Sequence, residues 1–378
     1  MLKFPATTWQ THFEIVDDPR VDYLIDHPLV EIIIIAICAV ICGADDWVAI
    51  ETWGKTKVEW LKSFMELEKG IPTHYTFRRV FAQIDPEQFQ AGFMSWTEAV
   101  FTVTKGQVIA IDGKQMRGSK SKKRGEKAIC MVSAWATENN LTLGQVKAED
   151  KSNEIKAIPQ MLQLLDTSEC LVTIDAAGCQ KKNAEIIIEQ EGDYLLALKK
   201  NQGHLYEDVE AVFEHAGEQK FKGIDADYDR SVSQGHGRLE IRECWAIDDE
   251  TQLDFLRTRE EWAGLESIVM IRSTRDDGHE VTTTDKYFIS SVGAEAQRIL
   301  AAKRAHWGIE NKLHWSLDVA FSEDRHQLGG QSAANMAVLR HMALSLLKQE
   351  KTTKIGIKNK RLKAAWDEDY LHRVLQAN

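Results

Sequence analysis

Apolar positions change their period along this chain, and the changes divide it. Residues 1 to about 100 read as helical throughout. The run IIIIAICAV follows Pro28, a proline placed for a first helical turn, and Gly43 follows it as a stop. AIETWGKTKVEWLKSFMEL repeats apolar residues at helical spacing, and THYTFRRVFAQI opens on a capping threonine after the break at Gly70-Ile71-Pro72. FQAGFMSWTEAVF completes an all-helical N-terminal domain over residues 1–100. Its helix with Arg78 and Arg79 is a candidate for docking on a polyanion, although structural helices with two surface arginines are commoner.

The pattern then shortens. QVIAIDG reads as a buried strand ended by a turn, with AICMVSAWAT and LTLGQVKA as a meander behind it. EIKAIPQMLQLLD is helical with an internal proline, CLVTIDA a strand, NAEIIIEQEG a helix stopped by Gly192, and DYLLALKKN a fifth strand. The order β-β-β-α-β-α-β over residues 101–205 predicts an α/β fold: a mixed sheet with flanking helices. Residues 206–293 read as a β-rich insert with turns at Gly235, Gly237 and Asp276-Asp277-Gly278. Residues 294–378 read as helices followed by a basic tail.

At 43% hydrophobic and 28% charged residues, globular folding is expected rather than disorder. The net charge of -11 counts against a nucleic-acid partner, but such a partner needs only a local basic surface. Two basic segments are candidates: Arg117, Lys120, Lys122, Lys123 and Arg124, and the run Lys348, Lys351, Lys354, Lys358, Lys360, Arg361 and Lys363. Either could equally be a solvated face. The six cysteines form no CxxC pair and read as reduced, buried thiols. Ile32 to Ala44 is shorter than the about 20 residues that span a bilayer, and the N-terminus has no apolar signal core. No membrane partner and a cytoplasmic, nucleoid-associated protein are therefore expected.

The candidate chemistry is acidic. Asp112 closes the first strand of the mixed sheet and Asp175 the fourth. If those strands are neighbours, two carboxylates meet at one sheet edge. Mg²⁺, with Mn²⁺ as a substitute, favours such a set of few carboxylates that leaves room for water and phosphate. A third ligand is expected from a later helix. Glu310 is the candidate, amid His306, Trp307, His314 and Trp315. On a regular helix His306, Glu310 and His314 share a face. A His-Glu-His zinc site is the alternative, and Asp318, Glu323 and Asp324 compete for the acidic role.

Five blocks, IAIDGKQMRGS, VTIDAAGCQ, YLLALKKNQ, GHGRLEIR and RAHWGIENKLHWSLDVAFSEDRHQ, resemble the H-repeat-associated proteins, insertion-sequence transposases of the ISAs type. The resemblance extends into DDPRVDYLIDHPLVEIIIIAICAVICGADDW near the N-terminus. It implies a DDE transposase with a ribonuclease-H-like catalytic fold. Its two aspartates would fall on Asp112 and Asp175 and its glutamate on Glu310. It further implies metal-dependent cleavage of transposon-end DNA, transfer of the 3′-OH to target DNA, and a dimer on paired ends. Related transposases carry a Tyr, Arg, Glu, Lys signature around the glutamate. Here the tyrosine, arginine and lysine positions hold Lys303, His306 and Leu317, and Arg304, His306 or Lys312 are the candidates to substitute in handling the terminal phosphate.

Phosphate contacts are expected from Lys114 and Arg117 beside Asp112, from Lys199, Lys200 and Asn201 after the fifth strand, and from His236 and Arg238 in the insert. Trp307 and Trp315 read as core packing, with stacking on a flipped base as the alternative. A nuclease of the same fold that never joins strands, and a non-catalytic domesticated DNA-binding relative, are the competing functions.

Overall fold

The computed structural model describes residues 6–100, 106–120, 128–148, 154–235, 237–325 and 327–376. The chain forms two compact units. One comprises residues 104–112 and 154–309; the other joins residues 1–103 to 113–153 and 310–378.

The first unit is built on a mixed sheet. β1 (Val108–Gln115) enters it, followed in the chain by β4 (Leu171–Ile174) and β5 (Asp193–Leu198), and β1, β4 and β5 pair in parallel. Their sequences are continuous apolar runs, as strands covered on both faces require. β6 (Asp227–Gly235), β7 (Arg238–Ile247), β8 (Ser267–Asp276) and β9 (Val281–Ser290) follow as an antiparallel meander. The β-rich segment is not a separate body, because β9 pairs with β5 and continues the same sheet. The segment also opens on a helix, Gly203–Glu218, that the β reading passed over. Leu205, Val209, Val212, Phe213 and Ala216 bury one of its faces at helical spacing. The helix before β5 stops earlier than expected. Glu191 takes the left-handed conformation (φ 59°), while a Cβ on Gly192 would stand 2.7 Å from the carbonyl oxygen of Thr167. Gly192 therefore permits a close approach rather than ending the helix itself.

The second unit contains the hairpin of β2 (Cys130–Ala136) and β3 (Leu141–Ala148), which pair antiparallel. It also contains the N-terminal helices. Helix Leu29–Ile41 is buried on nearly every side. Such a helix needs cover all round, and helix Gly330–Gln349, itself buried from Ala333 to Leu347, packs against it. This is why residues 1–103 cluster with the C-terminal helices.

The expected basic tail is two helices, Ile357–Trp366 and Glu368–Leu375. Three of its cations turn inward. Lys360 donates to the carbonyl of Leu347 at 2.9 Å, and Arg361 to that of Val40 at 2.8 Å with its guanidinium over the Phe321 ring. Lys348 is also mostly enclosed. Only Lys351, Lys354 and Lys358 of the run are fully exposed. Lys122, Lys123 and Arg124 of the other basic segment lie outside the described residues.

All six cysteines are buried free thiols, as their apolar surroundings predicted. Among the described residues no helix is long and apolar enough to cross a membrane.

Candidate active site

Asp112 and Asp175 come together through strand register. Val108–Ile111 of β1 pairs in parallel with Leu171–Ile174 of β4, so the two aspartates occupy the next positions along neighbouring strands. Both are half-buried at the C-terminal edge of the parallel strands, where open α/β sheets receive ligands. The expectation needs one refinement. β1 runs on to Gln115, so Asp112 lies within the strand rather than at its end. β4 stops at Ile174, and β1 passes beyond its partner there.

The chain leaves β4 in a tight turn centred on Asp175. Its Oδ1 accepts the backbone N–H groups of Ala177 (3.0 Å) and Gly178 (3.3 Å). Gly178 has no space for a side chain: a Cβ would press on Ile174 and stand 2.6 Å from Ile158 Cδ1. Three carboxamides hold the carbonyls of this turn. Asn201 Nδ2 donates to Ala176 O (2.9 Å), Asn183 Nδ2 to Gly178 O (2.8 Å), and Gln202 Nε2 to Cys179 O (2.6 Å). The loop after β5 is thereby tied to the loop that carries Asp175. Lys199 and Lys200 are exposed on that same loop. Asn201, expected as a phosphate contact, buttresses this turn, and the like roles of Asn183 and Gln202 were not anticipated. Cys179 beside this turn is no nucleophile, since burial and then the charge of Asp175 push its thiol up to about 12.

The helix Ala296–Gly308 is pinned to the same strand. His306 is 6% exposed, and its Nδ1 shares a 2.8 Å hydrogen bond with Thr173 Oγ1, two residues before Asp175. Burial, followed by the charge of Lys303, lowers the His306 pKa to about 3, so the imidazole is neutral. His306 is a core residue, not an exposed phosphate contact. Glu310, by contrast, is exposed, and the regular helix assumed for the pair ends before it. The reason is local: Ile309–His314 is a π-helical segment, whose wider turn changes the angular spacing. Ile309 and Leu313 are its fully buried side chains. Trp307 and Trp315 are 47% and 61% exposed, which corrects their reading as core.

Lys114 does not stand open to solvent. Its ammonium lies 2.5 Å from Asp318 Oδ1 and 2.7 Å from Glu323 Oε2. Burial opposes the charge, but Glu323 and Asp318 outweigh it and hold the Lys114 pKa above the usual value. Glu323 is fully enclosed, and Lys114, Arg340 and His341 offset its burial and keep it ionised. Asp318 and Glu323 thus serve an internal ion-pair cluster. Asp324 accepts the backbone N–H of Arg117 at 3.2 Å, while the Arg117 side chain is exposed. Arg304 and Lys312 are exposed, Arg238 is half-buried against Glu240, and His236 lies outside the described residues.

Two hard carboxylates at neighbouring positions of adjacent strands fit a divalent cation such as Mg²⁺, which commonly takes one or two protein carboxylates and completes its shell with water and substrate phosphate. Among the described residues no group of three or more His, Cys, Asp or Glu side chains is gathered closely enough to hold a metal ion. The pairing of Asp112 and Asp175 is therefore the observation that supports the fit.

A parallel-strand edge with two neighbouring aspartates is compatible with metal-assisted phosphoryl transfer. The family described as Transposase DDE domain matches residues 104–347, and the one described as DDE_Tnp_1-associated matches residues 10–97. The chain belongs to the DDE transposase family. Within it, the chain is 39% identical to the "H repeat-associated putative transposase YhhI" of Escherichia coli (strain K12), covering 96% of each chain. It is 40% identical to the "Putative transposase YncI" of Escherichia coli O157:H7, over 96% of this chain and 93% of that one. These relatives bear out the resemblance drawn from the five sequence blocks. Among solved structures, a piggyBac transposase synaptic complex with hairpin DNA aligns at TM-score 0.43 and 7% identity, over 100% of this chain and 82% of that one. That likeness is too low to carry an argument about the fold.

Proposed function

We propose that the chain is a metal-dependent DNA transposase that cleaves transposon-end DNA and transfers the freed 3′-OH to target DNA. The observation that carries this reading is the register that sets Asp112 beside Asp175 on β1 and β4. In this reading both aspartates hold Mg²⁺, for which Mn²⁺ substitutes, and Glu310 is the third acidic residue. A bound divalent cation would supply Lewis-acid activation of the phosphodiester and of the attacking oxygen. The residues of the chain do the positioning. The turn at Ala177 and Gly178 fixes the Asp175 carboxylate, and Asn201 fixes the turn. Lys199 and Lys200, exposed beside it, meet phosphate oxygens, and Arg304, Lys312 and Arg117 extend the contacts along the DNA backbone. Exposed Trp307 and Trp315 offer indole faces on which a base can stack. The partner is double-stranded DNA, with two protomers on paired ends.

The test is nicking of a supercoiled plasmid carrying the gene with its flanking DNA, in Mg²⁺ or Mn²⁺. Asp112→Asn, Asp175→Asn and Glu310→Gln should each abolish nicking while DNA binding persists. Wild-type activity in any of the three removes that residue from the assignment. Joining of a labelled 3′ end to a target plasmid separates a transposase from a nuclease that uses the same carboxylates.

A further inference from the structure

The π-helical turn Ile309–His314 is gripped by side chains near to it and far from it in the chain. The carbonyl of Lys312 accepts Lys348 Nζ at 2.6 Å, 36 positions on, and Ser316 Oγ at 2.7 Å, four positions on. Lys348 comes from the end of helix Gly330–Gln349, and its ammonium also lies 4.9 Å from the centroid of the fully buried Trp135 ring on β2. A second ammonium, Lys114, lies 3.5 Å from the carbonyl of His314 and is fixed by Asp318, within the following helix Trp315–Ala320, and by Glu323 beyond it. A single π turn within a helix is a rare, energetically costly arrangement that clusters at functional sites. A side chain that inserts into a helix hydrogen-bond ladder is a recognised cause of such a distortion.

We propose that Lys348 is a positioning residue for Glu310: its ammonium, wedged between Trp135 and the Lys312 carbonyl, holds the π turn wound and so sets where the Glu310 carboxylate projects. This rests on the reading of Glu310 as the third acidic residue. An ammonium on this site is desolvated, and the nearby Lys312 charge adds to the cost, so the Lys348 pKa falls to about 7. Stability alone would favour an apolar residue here. A half-buried cation kept against that cost, with its donor on one carbonyl of the turn that bears the acid, is accounted for by geometry required at Glu310.

The experiment compares Lys348→Met, Lys348→Arg, Ser316→Ala and Glu310→Gln in the full chain. Each is measured for thermal stability, for the shift of a duplex on a gel, and for nicking of the flanked-gene plasmid across an Mn²⁺ series. Lys348→Met is expected to melt no lower than the wild type and to bind duplex equally. Its nicking should fall about tenfold or more, as loss of a residue that orients a metal ligand does. The Mn²⁺ concentration for half-maximal nicking should rise. Lys348→Arg should recover part of both, and Ser316→Ala should move both in the same direction by less. If Glu310→Gln is inactive while Lys348→Met and Ser316→Ala nick as the wild type with unchanged Mn²⁺ dependence, the positioning role is overturned and the assignment of Glu310 stands. If Lys348→Met loses activity only in proportion to lost stability, with Mn²⁺ dependence unchanged in Ser316→Ala, the residue is merely structural and the proposal is again overturned. If Glu310→Gln is fully active, the parent reading falls and takes this proposal with it.

Discussion

The strand edge with Asp112 and Asp175 and the turn with Glu310 are held in opposite ways. The aspartates owe their places to pairing between short apolar strands, and the turn after β4 is closed by the backbone and by carboxamides within about 25 residues along the chain. The turn with Glu310 is held by side chains from Lys348, 36 positions on, and from Lys114, 200 positions back from His314. The first arrangement rests on strand register, which the apolar runs themselves encode. The second exists only once its unit is packed. Substitutions at the aspartates should therefore act on the chemistry directly, whereas at the Glu310 turn a change in a side chain distant in sequence should reach it.

The largest expected effect tests the aspartate side. Asp112→Asn and Asp175→Asn remove the charge but keep size and hydrogen-bonding capacity. Nicking should drop by at least about a thousandfold, the several kcal/mol that metal-assisted charge stabilisation supplies. Thermal stability should hardly move. A large loss of stability in either would mean that the carboxylate is a structural cap, and the contrast between the two regions would fail.

The next effect lies between the regions in sequence, at His306. Its folded pKa of about 3 is below the ordinary value of 6.5, so below that ordinary value the unfolded chain binds the proton more readily. Stability is complete above pH 6.5 and declines as pH falls through 3, by roughly 5 kcal/mol in the limit. His306→Gln keeps a partner for Thr173 and removes the titration. Urea unfolding at pH 7 and pH 4 should show a smaller loss in the variant than in the wild type. Equal losses would show that the imidazole is not buried neutral against β4. His341, also buried and lowered to about 4, contributes its own loss to both proteins and cancels in the comparison.

These two regions also show what could be read from the amino acids. VIAID and LVTID announce buried strands, and the β-β-β-α-β-α-β order makes β1 and β4 plausible neighbours, so the aspartate pair was legible. That β9 would join β5 was not, because an antiparallel partner leaves no mark in DYLLAL beyond its apolarity. The π turn was illegible for a stronger reason. RAHWGIENKLHWSLDVAF is compatible with one straight helix, and on that helix His306 and Glu310 would lie together. What intervenes is the π turn Ile309–His314, which has no local signature. The basic run from Lys348 to Lys363 misled likewise: charge suggests solvent, but Lys360 and Arg361 find carbonyls in the interior.

Gly178→Ala sharpens the aspartate side without touching a charge. The added Cβ must displace Ile174 or Ile158, both fully or nearly fully buried. Overpacking of this kind costs about 1–3 kcal/mol. The turn that fixes Asp175 would move with it, so nicking should fall further than stability alone explains. An unchanged melting temperature would show that the turn has slack, which a locally held site should not.

The smallest expected effect discriminates between two uses of one residue. Asn201 was expected to meet DNA phosphate, yet its amide donates to the Ala176 carbonyl in the Asp175 turn. Asn201→Ala removes that bond, worth about 1 kcal/mol. Asn201→Asp turns a carboxylate toward a carbonyl and should destabilise the turn more than alanine does. If the buttress is what matters, both variants raise the Mn²⁺ needed for nicking, Asp more than Ala, and the salt dependence of duplex binding stays as it was. If Asn201 reads phosphate instead, Mn²⁺ dependence stays fixed, and duplex binding weakens most in the aspartate variant because like charges repel. The buttress outcome would place Asn201 with the strand-end machinery, and would leave Lys199 and Lys200 as the cations through which this edge meets the DNA backbone.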